Sequence, residues 1–212
     1  MNPKLDHIYN EDCLNTLNDR ELNYDYCIFS PPDYNELDLK PIKDDEKYYN
    51  WLSEVFSKLN PNNNVITIVV SNRKFKRKTI PKNQHINSIM KDLGWDLLNE
   101  KIWIKSDKIN TMRYNYGFVM SFGRKTFKSK NTTEFKYDTW NIPNKSYNNY
   151  LDNFPTELVK RCVENYTDQD QIVYDPFMGI GSTMVACNQI QRHSIGSEIS
   201  KDTYELSQKF IK

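Results

Sequence analysis

Two turns in this chain hold the residue types that can do chemistry. Ser30-Pro31-Pro32-Asp33-Tyr34 follows the apolar run Tyr26–Phe29, and Asp175-Pro176-Phe177-Met178-Gly179-Ile180-Gly181-Ser182-Thr183 follows the run 171–174. In the first turn two prolines fix φ near about −65° and carry no N–H, so the backbone is stiff and its carbonyls can be aimed. Those carbonyls and the Ser30 hydroxyl can accept both N–H bonds of a planar amine while Tyr34 stacks on its face. An amine conjugated to a ring is a poor nucleophile because its lone pair is delocalised. Acceptors that hold its N–H bonds out of the ring plane localise that pair, and fixed dipoles stabilise charge developing on nitrogen. The bland alternative is an ordinary Pro-Pro loop end.

In the second turn two glycines let the backbone bend sharply and approach a ligand with no Cβ in the way. The helix behind them offers unpaired N–H groups. Glu198 lies 19 residues past Gly179, the interval at which an acidic side chain meets ribose hydroxyls in nucleotide-binding α/β units. The last place of a dinucleotide fingerprint holds Met184, and the Gly-Lys-Ser/Thr of a phosphate-gripping loop is absent. A nucleoside with a small charged tail suits this turn better than a pyrophosphate does.

The elements that must position these turns alternate in type. Strands are expected at His7–Tyr9, Tyr26–Phe29, Val65–Val70, 97–104, 116–122, 171–174 and 194–197. Helices are expected at 13–18, 46–59, 86–93, 155–165, 182–191 and 202–211. Residues 46–59 place Tyr49, Leu52, Val55, Phe56 and Leu59 on one face, and 65–70 is a continuous β-branched run of the kind buried on both faces. Such alternation predicts an α/β fold: an open, mostly parallel sheet with helices on both faces, which binds ligands at the carboxyl ends of its strands.

The 212 residues suit one domain. There is no internal repeat, no apolar run of membrane-spanning length, and no apolar core of a signal peptide in the first residues. Cys13, Cys27, Cys162 and Cys187 form no C-x-x-C pair, so neither a zinc site nor a disulfide framework is expected, and a reducing, intracellular compartment fits best. The net charge of +1 hides an uneven distribution: residues 1–60 carry 6 basic and 13 acidic side chains, residues 61–130 carry 15 and 4. A basic middle third suggests an anionic partner for one face, the bland alternative being solvated lysines.

Together the two turns resemble the hallmarks of amino-methylating DNA methyltransferases, an (Asp/Asn/Ser)-Pro-Pro-aromatic catalytic loop and an Asp-Pro-Phe-x-Gly-x-Gly cofactor loop. The catalytic loop comes first here, which resembles the circularly permuted β group. Segments 8–13, 140–143 with 154–158, and 195–198 resemble further pieces of that family, so the likeness spans nearly the whole chain. The resemblance implies a single-domain Rossmann-like methyltransferase fold and S-adenosyl-L-methionine as methyl donor. It assigns Asp175, Phe177, Gly179 and Gly181 to the methionine and sugar region, with Pro176, Ser182 and Thr183 in the same loop. Glu198 is assigned to the ribose, Asp12 to the adenine with Cys13 beside it, and Phe154 and Pro155 to the closure over the methionine end. Ser30, Pro31 and Pro32 would hold the target amine. The family's aromatic directly follows the second proline, whereas this chain has Asp33 there and Tyr34 one place later. Either the loop bulges so that Tyr34 reaches the base, or Asp33 enters the pocket. In the amino-terminal Gly-Asp pair, Glu11 replaces the glycine.

Ser at the first loop position is associated in the family mainly with cytosine N4, Asp or Asn with adenine N6. Ser30 can donate to a ring acceptor as well as accept from the amine; cytosine N3 and adenine N1 both offer one, so the residue only tilts the choice toward cytosine N4 over adenine N6. A catalytically silent nucleic-acid-binding subunit is the reading from another class. The partner would be DNA with the target base flipped out. Phosphate contacts are expected from Arg73, Lys74, Lys76, Arg77 and Lys78, and from Lys105, Lys108 and Arg113, with Tyr114, Phe127 and Phe135 available to stack or wedge. Only residues 73–87 and 105–150 remain as small DNA-contacting insertions, so a short recognition sequence or a second subunit is expected; homodimers are common in the β group.

Overall fold

The computed structural model describes residues 4–106, 113–124, 127–144 and 155–211. The amino-terminal half runs β1 (His7–Tyr9), α1 (Cys13–Asp19), β2 (Tyr26–Phe29), a 3-10 turn (Tyr34–Leu37), α2 (Asp45–Ser57) and β3 (Val65–Val70). A hairpin of β4 (Arg73–Phe75) and β5 (Lys78–Ile80) leads into α3 (Lys82–Asp92), β6 (Asp96–Ile104) and β7 (Tyr116–Gly123). The rest is α4 (Thr133–Lys136), β8 (Thr139–Asn141), α5 (Thr156–Tyr166), β9 (Ile172–Asp175), α6 (Ser182–Gln189), β10 (His193–Ser197) and α7 (Lys201–Phe210).

Eight strands form one sheet in the order β1-β10-β9-β2-β3-β7-β6-β8. β1, β10, β9, β2 and β3 pair in parallel, β7 is antiparallel to both β3 and β6, and β8 runs parallel to β6. Only β7 therefore runs against the rest, and the expected mostly parallel α/β sheet is what forms. Strand periodicity decides the two layers. Cys27 and Phe29 of β2, with Ile66, Ile68 and Val70 of β3, face α2 and α3 through Leu52, Val55, Phe56, Ile86 and Met90. The alternate residues Tyr26, Ile28, Val65 and Val69 face α5 and α6 through Leu158, Val159, Cys162, Ala186 and Cys187. Thr67, fully buried in β3, is satisfied by the Tyr26 hydroxyl at 2.5 Å and by Ser121 at 2.9 Å. All four cysteines are buried and unpaired. Among the described residues, no helix is long and apolar enough to cross a membrane.

The structure departs from the sequence expectation mainly in short elements. Residues 73–80, where neither a strand nor a helix is expected, form the β4–β5 hairpin. Its two-residue turn has Lys76 at φ 46° and Arg77 at φ 63°, left-handed values usually left to Asn and Gly. β8, α4 and the 3-10 turn carry too few residues to show a period.

The strand order has a direct consequence. Because β1, β10, β9, β2, β3 and β6 all point one way, the segments that follow them emerge on one edge of the sheet. These are Asp12, Glu198, the glycine turn, the Ser30 turn, Ser71–Arg73 and Lys105.

Candidate active site

Those segments surround a single cavity of about 1340 Å³, lined by Ser30, Pro31, Pro32 and Asp33 on one wall and by Pro176, Phe177, Met178 and Gly179 on another. The two turns thus open into shared space. Ser30 is exposed there. Pro32 is braced from behind, because its carbonyl accepts the Tyr48 hydroxyl at 2.8 Å.

Asp33, not Tyr34, lines the cavity. Asp33 caps the 3-10 turn, accepting from Tyr34 N at 2.9 Å, while Glu36 Oε1 accepts from Asp33 N at 3.0 Å. Its other oxygen accepts from Arg73 Nη1 at 2.5 Å, and Lys82 Nζ stands 3.4 Å from the first. The nearby ammonium of Lys82, the Tyr34 N–H and Arg73 hold its carboxyl below the usual value against the opposing effect of burial. Tyr34 is fully buried: its ring stacks on Tyr48 at 4.2 Å between centroids and its hydroxyl donates to Asp45 at 2.8 Å. The expectation that Tyr34 stacks on a bound base is therefore corrected. The 3-10 turn rotates it onto α2, into the core.

The glycine turn is held from both sides. Gly179 takes φ 57°, and its N–H donates to Glu198 Oε2 at 3.0 Å, while Ser200 N donates to Glu198 Oε1 at 2.8 Å. A carboxylate has about four lone-pair sites, so Glu198 keeps acceptor capacity toward the cavity it lines. Burial raises its carboxyl above the usual value. Asp12 lines the same end and caps α1, accepting from Leu14 N at 2.9 Å, with Cys13 buried beside it. Ser182, the first residue of α6, also lines the cavity, and its buried hydroxyl has no hydrogen-bond partner among the described residues. A buried polar atom left unpaired is costly, so the Ser182 hydroxyl has hydrogen-bonding capacity to offer at this end of the cavity. Trp51 and Phe177, 5.6 Å apart, form its aromatic wall.

Three residues of the turn face inward instead. Asp175 accepts from Thr183 Oγ at 2.6 Å and Phe177 N at 2.9 Å, and neither Asp175 nor Thr183 lines the cavity. Both brace the loop internally, behind the cavity lining. Gly181 does not line it either: at φ 93°, an added Cβ would lie 2.7 Å from Ile211 Cδ1, so its glycine answers backbone conformation and packing against the chain after α7. Pro155 lies at the start of α5 outside the lining, and Phe154 is outside the described residues.

Burial pushes the Asp175 carboxyl up from its ordinary 3.8 to about 7, against the opposing hydrogen bonds from Thr183 and Phe177. Between those values the folded state binds the proton that the unfolded chain releases, so stability from this group falls as pH rises from about 4 to about 7. Asp175→Asn removes the dependence. Urea unfolding of both proteins at several pH values should show wild type losing stability relative to the variant across that window, by a few kcal/mol at most.

The far end of the cavity is basic. Lys74, Lys105 and Arg113 line it with Tyr114. Lys74 Nζ sits 4.8 Å from the Tyr114 ring centroid, and Lys105 bonds Ser71 Oγ and lies 4.9 Å from the Trp103 ring. Lys76, Arg77 and Lys78 are exposed at and beside the hairpin turn, outside the lining. Lys108 is outside the described residues. Phe135, expected among stacking candidates, is buried against Trp140 and Tyr166. Lys82, Trp51, Ser71 and Trp103 also line the cavity, and no motif in the sequence marks them. Each reads there as an ordinary helix or strand residue. Among the described residues, no cluster of His, Cys, Asp or Glu could hold a metal ion.

Comparison with known proteins shows the family and the fold. The model of a family described as DNA methylase matches residues 24–209. The type II methyltransferase M.BglII of Bacillus subtilis is 24% identical over 252 aligned residues, covering 98% of this chain and 69% of that protein. M.Cfr9I of Citrobacter freundii is 24% identical over 131 residues, covering 54% of this chain and 44% of its own length. Among solved structures, a DNA modification methylase from Thermus thermophilus complexed with S-adenosyl-L-methionine superposes with a TM-score of 0.78 at 22% identity, covering 97% of this chain and 92% of that one. The PvuII DNA methyltransferase, cytosine-N4-specific, gives 0.78 at 16% identity, covering 97% and 88%. At these identities the structural likeness is one of fold.

Proposed function

The chain belongs to the N6/N4 DNA methylase family, and from that premise we propose that it transfers a methyl group from S-adenosyl-L-methionine to the exocyclic amine of a DNA base, cytosine N4 ahead of adenine N6. One observation carries the reading: the Ser30 and Gly179 turns line one cavity whose ends differ in charge, Asp12 and Glu198 at one and Lys74, Lys105 and Arg113 at the other. A cationic nucleoside suits the acidic end, and an anionic nucleotide the basic end.

The residues present fit the donor. Glu198 and Asp12 accept hydroxyl and amine hydrogens, the orphaned Ser182 hydroxyl bonds a polar group of the ligand, and Trp51 and Phe177 cover apolar surface. When bound, S-adenosyl-L-methionine supplies an electrophilic methyl group on a sulfonium centre. The chain's part is to hold the amine. Ser30 Oγ and the Pro31 carbonyl accept its N–H bonds, localising the nitrogen lone pair and stabilising the charge it acquires. With both reactants fixed in line, the nitrogen takes the methyl group as the carbon–sulfur bond breaks to leave a neutral thioether. The nitrogen's surplus proton passes to water in the open cavity. Proximity supplies much of the rate, without a metal or a covalent enzyme intermediate. Ser30 can also donate to the ring nitrogen beside the amine, N3 of cytosine or N1 of adenine, and serine at this first loop position tilts the choice toward cytosine. A paired base cannot reach this depth, so the target is flipped out. Lys74, Lys105 and Arg113 then meet its flanking phosphates, and the exposed Lys76, Arg77 and Lys78 meet the duplex backbone.

DNA treated with the protein and labelled donor, digested to nucleosides and resolved by mass spectrometry, should contain N4-methylcytosine. N6-methyladenine would move the assignment to adenine. DNA binding with neither donor binding nor any methylated nucleoside would leave a silent DNA-binding subunit.

A further inference from the structure

Lys82 is the first residue of α3, is 4% exposed, and lines the cavity beside the Ser30 turn. Its chain lies over the Tyr48 ring, with Nζ 5.3 Å from the centroid, and the Tyr48 hydroxyl in turn holds the Pro32 carbonyl. An ammonium carries three N–H donors. Among the described residues Lys82 has one hydrogen-bond acceptor, Asp33 Oδ1, at a long 3.4 Å. That carboxylate is already engaged more closely by Arg73 at 2.5 Å and by Tyr34 N at 2.9 Å. Burial lowers the Lys82 pKa, with Asp33 opposing the effect. A desolvated cation with idle donors on a cavity wall is costly unless a ligand supplies acceptors. The arrangement is unlike a surface lysine, which water satisfies.

We propose that Lys82 is a specificity-determining residue, whose ammonium donates to the O2 carbonyl of a cytosine held by its amine on the Ser30 turn. The inference rests on the reading of that turn as the amine site and deepens it. Along the edge that carries the amine, cytosine continues with the ring nitrogen N3 and then the carbonyl O2. Adenine continues with N1 and then a C–H. Ser30 meets the amine and the ring nitrogen of either base. Only the third position distinguishes them, and Lys82 stands beside the same turn with donors to spend. Opposite adenine its N–H groups would face a C–H and stay unpaired, and a site built to hydrogen-bond a substrate group rejects the analogue lacking it far more strongly than an apolar pocket can.

The test pairs a side-chain change with a substrate change. Wild type, Lys82→Met and Lys82→Gln are compared on duplexes carrying cytosine or 2-thiocytosine at the position wild type methylates, sulfur being the weaker acceptor. Lys82→Met should lower kcat/KM on cytosine by about 100-fold with donor affinity unchanged, which also reports an intact fold. Sulfur should cost wild type about 10-fold, Lys82→Gln less, and Lys82→Met almost nothing, because the intrinsic effect of sulfur on the amine cancels between proteins. An equal sulfur penalty in all three overturns the Lys82 assignment alone, and is the result expected if the ammonium meets a phosphate instead. Wild type that methylates adenine and not cytosine overturns both this assignment and the cytosine reading beneath it.

Discussion

Ser30→Ala should lower the rate of methyl transfer by about 100-fold, the cost of removing one preorganised hydrogen-bonding group from a charge-stabilising site, while donor affinity stays within about twofold of wild type. Ser30 is exposed to the cavity, and no hydrogen bond ties its hydroxyl to the rest of the fold among the described residues, so its removal leaves packing untouched. The loop's shape depends on other groups: the two prolines, the Tyr48 hydroxyl on the Pro32 carbonyl, and Asp33 between Arg73 and the Tyr34 N–H. Pro31→Ala should act in the same direction by loosening the carbonyl it aims. Single-turnover kinetics set against calorimetric donor affinity separate the two effects. Donor affinity lost in step with the rate would remove the amine-holding role from this turn.

The shapes of the two turns and their shared sheet edge are legible in the sequence because each turn is local. Pro-Pro after an apolar run and Gly-x-Gly before a helix dictate backbone shape within a few residues, and a parallel sheet puts both on one edge. Tyr34 is misplaced by that reading although a usable signal is present: Asp33-x-x-Glu36 is a capping-box pattern. Taken as such, it starts a helical turn at Tyr34 and carries the ring away from the pocket. The inward braces are harder to see. Asp175 and Thr183 pair across eight residues in a turn where either could equally meet a ligand, and the collision awaiting a Cβ at Gly181 comes from Ile211, 30 residues on. The β4–β5 hairpin goes against local preference, with Lys and Arg where a two-residue turn usually takes Asn and Gly. Lys82 is invisible for a related reason. A lysine at a helix start reads as solvated, and only the fold brings it to an aspartate 49 residues away. Short-range stereochemistry is written in the sequence, whereas side-chain partnerships across the sheet edge are written only in the assembled structure.

Glu198→Ala should weaken donor binding by about 100-fold and leave kcat at saturating donor within a few-fold. The carboxylate has two tasks at one place: its oxygens hold Gly179 N at 3.0 Å and Ser200 N at 2.8 Å, and its remaining lone pairs face the cavity. Alanine therefore removes ligand acceptors and unties the glycine turn from the carboxyl end of β10. Hydrogen bonds to a charged group are worth about 1.5–3 kcal/mol each, and the loss of one or two accounts for the expected change. The effect is expected on affinity because Glu198 lies at the acidic end with Asp12, away from the Ser30 turn proposed to hold the amine. Whatever grips the donor's sugar grips it equally before and during transfer, and uniform binding of that kind appears in Kd or KM and not in kcat. Glu198→Gln separates the two tasks. Its carbonyl can still accept from Gly179 N, but its NH₂ then faces the Ser200 N–H, donor against donor, so affinity should recover only in part. Calorimetry on the three proteins with kcat measured at saturating donor provides the check. A collapse of kcat with unchanged donor affinity would place Glu198 at the reacting atoms, a position its bonds to Gly179 and Ser200 argue against.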